Sequence, residues 1–129
     1  MAEPGGPLVL VVDDELAVRD LVCEILADEG FRTVTAGDGD EVLPLALEHQ
    51  PALILLDMMM PRMDGYTTIT RLRGHPMTAI VPIIVVTGQT DPVYQGISEG
   101  VGAMAHMTKP FSAKDLVVTV RRALGGDEP

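Results

Sequence analysis

The stretch Ala52-Leu53-Ile54-Leu55-Leu56-Asp57 places one carboxylate at the end of an uninterrupted apolar run. A run of this kind is typical of a strand that is buried on both faces of a parallel sheet. Residues 8–14, 82–88 and 103–109 follow the same plan, since each apolar segment ends in polar groups. Ligands of open α/β sheets bind at the carboxyl ends of the strands. The sequence therefore predicts that these polar groups meet at one site.

Strand-like and helix-like segments alternate along the chain, which is the pattern of a parallel sheet covered by helices on both faces. A second strand is predicted over 31–36 as a half-exposed edge, and the five predicted helices run over about 16–29, from Asp40, over about 65–74, from Asp91 and over 112–124. Gly30 is predicted to cap the end of the first helix, Asp40 the start of the second and Ser112 the start of the fifth. Pro44 predicts a kinked or late first turn in the second helix. We expect an α/β fold with a five-stranded, doubly wound parallel sheet of order 2-1-3-4-5 and five helices.

Composition narrows the class of protein. The 129 residues fit one domain, predicted over 8–124, with a flexible N-terminus at 1–7 and a tail or the start of a linker at 125–129. The net charge of −10 argues against nucleic acid and anionic membranes as direct partners. Cys23 is the only cysteine, so no intramolecular disulfide can form. Neither a membrane span nor a signal peptide is evident, and we expect a cytoplasmic protein.

The predicted site is rich in carboxylates. Asp13, Asp14 and Asp57 would lie within a few ångströms of one another, and each like-charge pair at 4 Å costs about 4 kcal/mol at an effective dielectric near 20. Such a cluster requires a cation, and oxygen-only ligands favour Mg²⁺ over zinc. Lys109 supplies a further positive charge, and Thr87 could donate a hydrogen bond to a phosphoryl oxygen. A carboxylate between a divalent cation and a lysine can attack phosphorus, giving an acyl phosphate on Asp57.

Four motifs together resemble the receiver domain of two-component response regulators. They occupy residues 11–15, 56–65, 86–88 and 108–111, and the resemblance covers the chain from residue 8 to about residue 124. Each motif is weak alone, whereas all four at strand ends in this order are highly specific. The resemblance implies a flavodoxin-like fold and a signalling domain that catalyses only its own phosphorylation and dephosphorylation.

The resemblance also implies a role for each site residue. Asp57 matches the phosphoacceptor and Lys109 the phosphoryl-binding lysine. Asp14 matches the direct Mg²⁺ ligand, Asp13 its companion that often acts through water, and the backbone carbonyl of Met59 the third protein ligand. Thr87 matches the switch hydroxyl that moves toward the phosphoryl group, and Pro110 follows a peptide bond that is often cis.

The resemblance implies an upstream protein partner that donates the phosphoryl group and a downstream partner that responds to it. The phosphoryl donor would be a phosphohistidine on a sensor histidine kinase or a phosphotransfer protein. Phosphorylation would reshape the face made by the fourth helix, the fifth strand and the fifth helix. A downstream protein or an output domain would read that face, which could also join two copies of the chain. His106 departs from the family, which often has Tyr or Phe at this switch position.

Two alternatives from other classes remain open at this point. A nucleotide- or flavin-binding domain of similar topology would need a glycine-rich phosphate loop after the first strand. Here that loop holds Asp13, Asp14 and Glu15, which repel phosphate unless a metal intervenes. The second alternative is a receiver-like interaction module that works without phosphorylation. The intact set of acids, hydroxyl and lysine argues against it, because a scaffold has no need of all of them.

Overall fold

The computed structural model describes residues 6–58, 65–87 and 105–125. Its centre is a parallel sheet of five strands in the order β2-β1-β3-β4-β5. The strands are β1 (Leu8–Val12), β2 (Arg32–Ala36), β3 (Leu53–Asp57), β4 (Ile83–Thr87) and β5 (Ala105–Thr108). The predicted strand order is confirmed, and β2 lies at an edge of the sheet, as its sequence indicated.

Helices cover both faces of this sheet because alternate residues of each strand point to opposite sides. On one face Leu10, Ile54 and Ile83 join a cluster that also holds Val42 and Ile69 from two helices. On the other face the alternate strand residues join a cluster with a different pair of helices: Val9, Leu53 and Ile84 with Val22, Leu26, Leu116 and Val120. The two clusters confirm a doubly wound sheet with a core on each side.

The described part of the chain contains four α-helices. They are α1 (Leu16–Asp28), α2 (Val42–His49), α3 (Gly65–Arg73) and the C-terminal helix (Ala113–Ala123). The fourth of the five predicted helices, from Asp91, lies outside the described residues. No helix in the described ranges is long and apolar enough to cross a membrane.

Local sequence explains where the C-terminal helix and α1 begin and end. Ser112 caps the C-terminal helix, since its hydroxyl accepts a hydrogen bond from the Asp115 N–H at 3.0 Å. Gly30 follows the end of α1 with φ of +92°, a left-handed conformation that favours glycine. Both features agree with the sequence prediction.

The start of α2 corrects one prediction. Asp40 does not cap the helix; instead Asp38 caps a 3₁₀ turn over Gly39–Glu41, and its carboxylate accepts the Asp40 N–H at 2.9 Å. The α-helix follows from Val42, so Pro44 lies in its first turn, where a proline without an N–H is tolerated. The predicted late start is therefore confirmed, but the side-chain cap belongs to the preceding 3₁₀ turn and not to α2.

Candidate functional site

The site lies at the carboxyl ends of the three central strands. Val12, the last residue of β1, pairs with Leu56, so Asp13 follows at the level of Asp57 on the neighbouring strand. Asp57 pairs with Val86 of β4, and the Met58 N–H continues the contact by donating to the Val86 carbonyl at 2.9 Å. The register alone therefore brings the acids of two strands to the same edge of the sheet.

Three carboxylates converge there. One oxygen from each of Asp13, Asp14 and Asp57 lies within 4.8 Å of the others. Asp13 and Asp57 are each 4% exposed, whereas Asp14 is exposed. The predicted cluster is thus confirmed, with two buried acids and one that opens to solvent.

Lys109 is the cation that the described residues bring to these acids. Its ammonium donates to Asp13 Oδ2 at 2.9 Å and to Asp57 Oδ2 at 3.3 Å, and it lies 3.8 Å from Glu15 Oε1. Burial alone would lower the pKa of Lys109, but hydrogen bonds and charge attraction from Asp13 and Asp57 outweigh it and raise the pKa above its ordinary value. The ammonium therefore stays charged at the acids. The Lys109–Pro110 peptide bond is cis, as the family resemblance implied.

The donor set fits a hard divalent cation. All three donors are carboxylate oxygens, and one ammonium cannot neutralise three acids. Both oxygens of Asp13 already accept hydrogen bonds, from the Glu15 N–H at 2.9 Å and from Lys109. Asp14 makes no hydrogen bond or ion pair with any described residue and faces solvent, so it is the acid best placed to bind a metal directly.

Two voids flank the side chain of Lys109. The first is a cavity of ≈ 20 Å³ beneath the acids; among the described residues its wall includes Asp13, Asp57, Lys109, Val18 and Phe111. The second is a surface groove of ≈ 440 Å³, lined in the described part by Val18, Leu21, Lys109, Pro110 and Phe111. We refer to them as the inner cavity and the outer groove.

The remaining predicted site residues are placed only in part. Thr87 ends β4 and pairs with Thr108, so its backbone lies at the carboxyl edge beside the acids. The Thr87 side chain and the whole of Met59 lie outside the described residues. His106 on β5 pairs with Val85 on β4 and is half-buried. It lines a groove of ≈ 500 Å³ together with residues of the C-terminal helix.

The pattern typical of response regulator receiver domains matches residues 9–121. The chain belongs to this family. The receiver domain is 38% identical over 120 residues to the DNA-binding dual master transcriptional regulator RpaA of Synechocystis, covering 92% of this chain and 49% of that protein. It is also 38% identical over 123 residues to the DNA-binding response regulator MtrA of Mycobacterium tuberculosis, covering 94% of this chain and 53% of that protein. The chain thus spans about half the length of these curated relatives.

Solved structures agree with this assignment. The chemotaxis protein CheY4 of Vibrio cholerae superposes with a TM-score of 0.87 at 32% identity, covering 91% of this chain and 98% of that chain. The receiver domain of NtrX from Brucella abortus superposes with a TM-score of 0.83 at 33% identity, covering 92% of this chain and 99% of that chain. The receiver domain therefore shares the fold of both of these proteins.

Sequence reasoning missed one close neighbour of the site. Glu15 was quoted within the acidic motif but received no role, although its N–H orients Asp13 and its carboxylate lies near Lys109. Its position directly after two site acids was the available signal. Phe111 had a similar signal, since it lies in the 108–111 motif two residues after Lys109, whereas Val18 on α1 had none.

Proposed function

We propose that the receiver domain accepts a phosphoryl group on Asp57 and thereby relays a two-component signal. The observation that carries the proposal is the contact between the Lys109 ammonium and Asp57 Oδ2 at 3.3 Å. Asp13 and Asp14 lie beside this contact at the same edge of the sheet. A cation held beside a nucleophilic carboxylate is what phosphoryl transfer to that carboxylate requires, because both the nucleophile and the phosphoryl oxygens are negative. No external metabolite is turned over.

In the proposed step an oxygen of Asp57 attacks the phosphorus of a phosphohistidine. The new O–P bond forms as the P–N bond breaks, and the electron pair of that bond stays on the imidazole nitrogen, which then takes up a proton. Lys109 binds an oxygen of the transferring group and offsets its charge, while Asp13 orients the ammonium. Hydrolysis of the acyl phosphate by water would restore Asp57.

Mg²⁺ is the proposed cofactor. Asp14 would bind it directly, with Asp13, Asp57 and the Met59 carbonyl completing the protein side of the site. Bound Mg²⁺ would neutralise the acids and the charge on the phosphoryl oxygens. Thr87 and His106 keep their proposed roles in the switch that follows phosphorylation.

The proposed donor is a sensor histidine kinase or a phosphotransfer protein. Leu16 and Leu21 on α1 are 60% and 55% exposed, and Leu21 forms part of the outer groove beside Lys109. Exposed apolar side chains next to a reactive centre favour protein contact there. Because the relatives are DNA-binding regulators, we propose that the donor and the receiver domain meet in the cytoplasm.

The proposed output is a protein or a linked domain that reads the face around β5 and the C-terminal helix. His106 lines the groove of that face together with Lys114, Asp115 and Arg122. RpaA and MtrA each carry about as much chain again beyond the matched part, and both are DNA-binding by name. Any contact with DNA would then belong to an output domain. A pair of receiver domains joined through this face is a further proposed assembly.

The test is incubation with acetyl phosphate, with and without Mg²⁺, followed by mass spectrometry. Wild type should gain one phosphate only when Mg²⁺ is present, and Asp57→Asn should gain none. Asp28→Asn is the matched control, since Asp28 is an exposed acid on α1 distant in sequence from the site. Equal phosphate on wild type and Asp57→Asn would contradict Asp57 as the acceptor. No phosphate on wild type in the presence of Mg²⁺ would favour an interaction module that works without phosphorylation.

A further inference from the structure

The side chain of Lys109 has space on two sides. The inner cavity of ≈ 20 Å³ borders it from the core and the outer groove of ≈ 440 Å³ borders it from solvent. Its four-carbon chain has many rotamers and is 24% exposed. The hydrogen bonds fix only the ammonium group at the end of the side chain. Neighbouring side chains must therefore restrict the rotamers that the aliphatic part can adopt.

Val18 and Phe111 form the walls that restrict it. Besides Lys109 itself, they are the only described residues that line both the inner cavity and the outer groove. Both are half-buried and pack against the margin of the core cluster on the α1 side rather than belonging to its buried set. Together with Lys109 they therefore form the partition between the inner cavity and the outer groove.

We propose that Val18 and Phe111 are positioning residues that hold the Lys109 ammonium at Asp57. Removal of either side chain joins the inner cavity to the outer groove and gives the lysine room to swing away from the phosphoryl-binding position. The acids are set by strand register and are left in place. The proposal rests on the proposed function, since it concerns the lysine that binds the transferring group.

Val22 provides a matched comparison for Val18. Both are valines on α1, four residues apart and so on the same helix face, and both line the inner cavity. Val22 is 4% exposed and does not line the outer groove, whereas Val18 is half-buried and does. A purely structural role predicts that Val22→Ala is the more damaging change in every assay. The positioning role predicts that Val22→Ala lowers stability more than Val18→Ala does, whereas Val18→Ala slows phosphorylation more than Val22→Ala does.

The experiment compares wild type with Val18→Ala, Val22→Ala, Val18→Ile and Phe111→Leu. Thermal unfolding should show a larger fall in Tm for Val22→Ala than for Val18→Ala. The rate of phosphorylation by acetyl phosphate at saturating Mg²⁺ should fall about tenfold in Val18→Ala, since a displacement of about 1 Å at a reacting group costs up to a hundredfold. The rate should stay within about twofold of wild type in Val22→Ala. Val18→Ile, which keeps the wall, should match wild type, and Phe111→Leu should fall between the two alanine variants.

A second measurement separates the lysine from the metal. The chain has no tryptophan, so Mg²⁺ affinity is measured by titration calorimetry. The dissociation constant for Mg²⁺ should be the same in wild type, Val18→Ala and Val22→Ala. The inference is overturned if Val18→Ala phosphorylates at the wild-type rate, if Val22→Ala slows as much, or if the slower rate of Val18→Ala is matched by weaker Mg²⁺ binding. Failure of wild type itself to take phosphate on Asp57 would overturn the proposed function instead.

Discussion

Lys109 binds two acids at once, and the two contacts differ in what they do. The shorter one, 2.9 Å to Asp13, anchors the ammonium, and the longer one, 3.3 Å to Asp57, places it beside the proposed phosphoacceptor. Asp13 is itself oriented by the Glu15 N–H. The acid proposed to react is thus not the acid that holds the lysine more closely, so phosphorylation of Asp57 would leave the contact between Lys109 and Asp13 in place.

The lysine contact predicts an alkaline limit to stability. In metal-free buffer Lys109→Met should lower the free energy of unfolding by about 2–4 kcal/mol, somewhat below the range for a fully buried pair because the lysine is 24% exposed. The acids raise the pKa of Lys109 in the folded protein. Its contribution is therefore fully present below the unfolded pKa of about 10.4 and is lost as pH rises through the higher folded value.

Urea unfolding of wild type and Lys109→Met from pH 8 to pH 12 measures this contribution. The difference between the two proteins should be constant up to about pH 10 and then shrink. Lys114→Met is the control: it removes the chain's other lysine, which is exposed, and should change stability by less than about 0.5 kcal/mol. A difference that stays constant to pH 12 would show that the charge of Lys109 is not what stabilises the fold.

Helix capping is the first feature at the scale of single elements. Ser112 accepts the Asp115 N–H and starts the helix that follows Lys109 and Phe111. Ser112→Ala should cost about 1 kcal/mol, Ser112→Gly a few tenths, and Ser112→Asp should retain the cap. Thermal unfolding of the three variants should give that order. A Tm for Ser112→Ala equal to that of wild type would mean that the cap contributes nothing.

Gly65, the first residue of α3, packs directly against Met58, the residue that follows Asp57. A Cβ at Gly65 would lie 2.1 Å from Met58 Sδ and 3.1 Å from Met58 Cα. The flexible thioether can move but the backbone cannot, so Gly65→Ala should destabilise the receiver domain by about 1–3 kcal/mol. Gly74→Ala at the other end of α3 is the control, since its nearest backbone contact would be 3.3 Å. Urea unfolding should separate the two variants, and equal stabilities would contradict the tight packing of Gly65.

Much of this organisation was predictable from the chain, for physical reasons that differ between elements. The β3 apolar run predicted a central strand because only a strand covered on both faces needs so many aliphatic residues. Ser112 and Gly30 marked helix ends through local hydrogen bonding and backbone conformation. The start of α2 was wrong because Asp38 and Asp40 are chemically equivalent caps, and the choice between them depends on the 3₁₀ turn.

The convergence of Asp13, Asp57 and Lys109 followed from topology, since strand ends share an edge. The finer geometry did not follow. Which acid holds the lysine more closely, and which side chains wall it in, depend on rotamers and on the packing of α1 against the residues after β5. Those are contacts between segments far apart in sequence, and no local pattern encodes them.

At the scale of the whole molecule the acidic cluster and Lys109 link two central strands, β1 and β3, with β5. Asp13 and Asp14 follow β1, Asp57 ends β3, and Lys109 follows β5, so a divalent cation would join segments that the folded state alone brings together. A ligand that binds only the folded state stabilises it. The stabilisation is about 2.7 kcal/mol when the free ligand is a hundredfold above its dissociation constant. Mg²⁺ should therefore raise the Tm of wild type in proportion to the logarithm of its concentration.

Asp14 allows this linkage to be tested without disturbing the core. It is exposed and makes no contact with the described residues that Asp14→Asn would break. The change also removes one of three clustered negative charges, so the Tm in EDTA should be no lower than that of wild type. The increase in Tm with Mg²⁺ should be lost, because the proposed direct ligand is gone. Asp28→Asn, which removes the same charge from an exposed position on α1, should keep the full increase. If Asp14→Asn gains as much from Mg²⁺ as wild type does, the cation binds elsewhere on this acidic surface, and charge screening rather than a site at the strand ends explains the stabilisation.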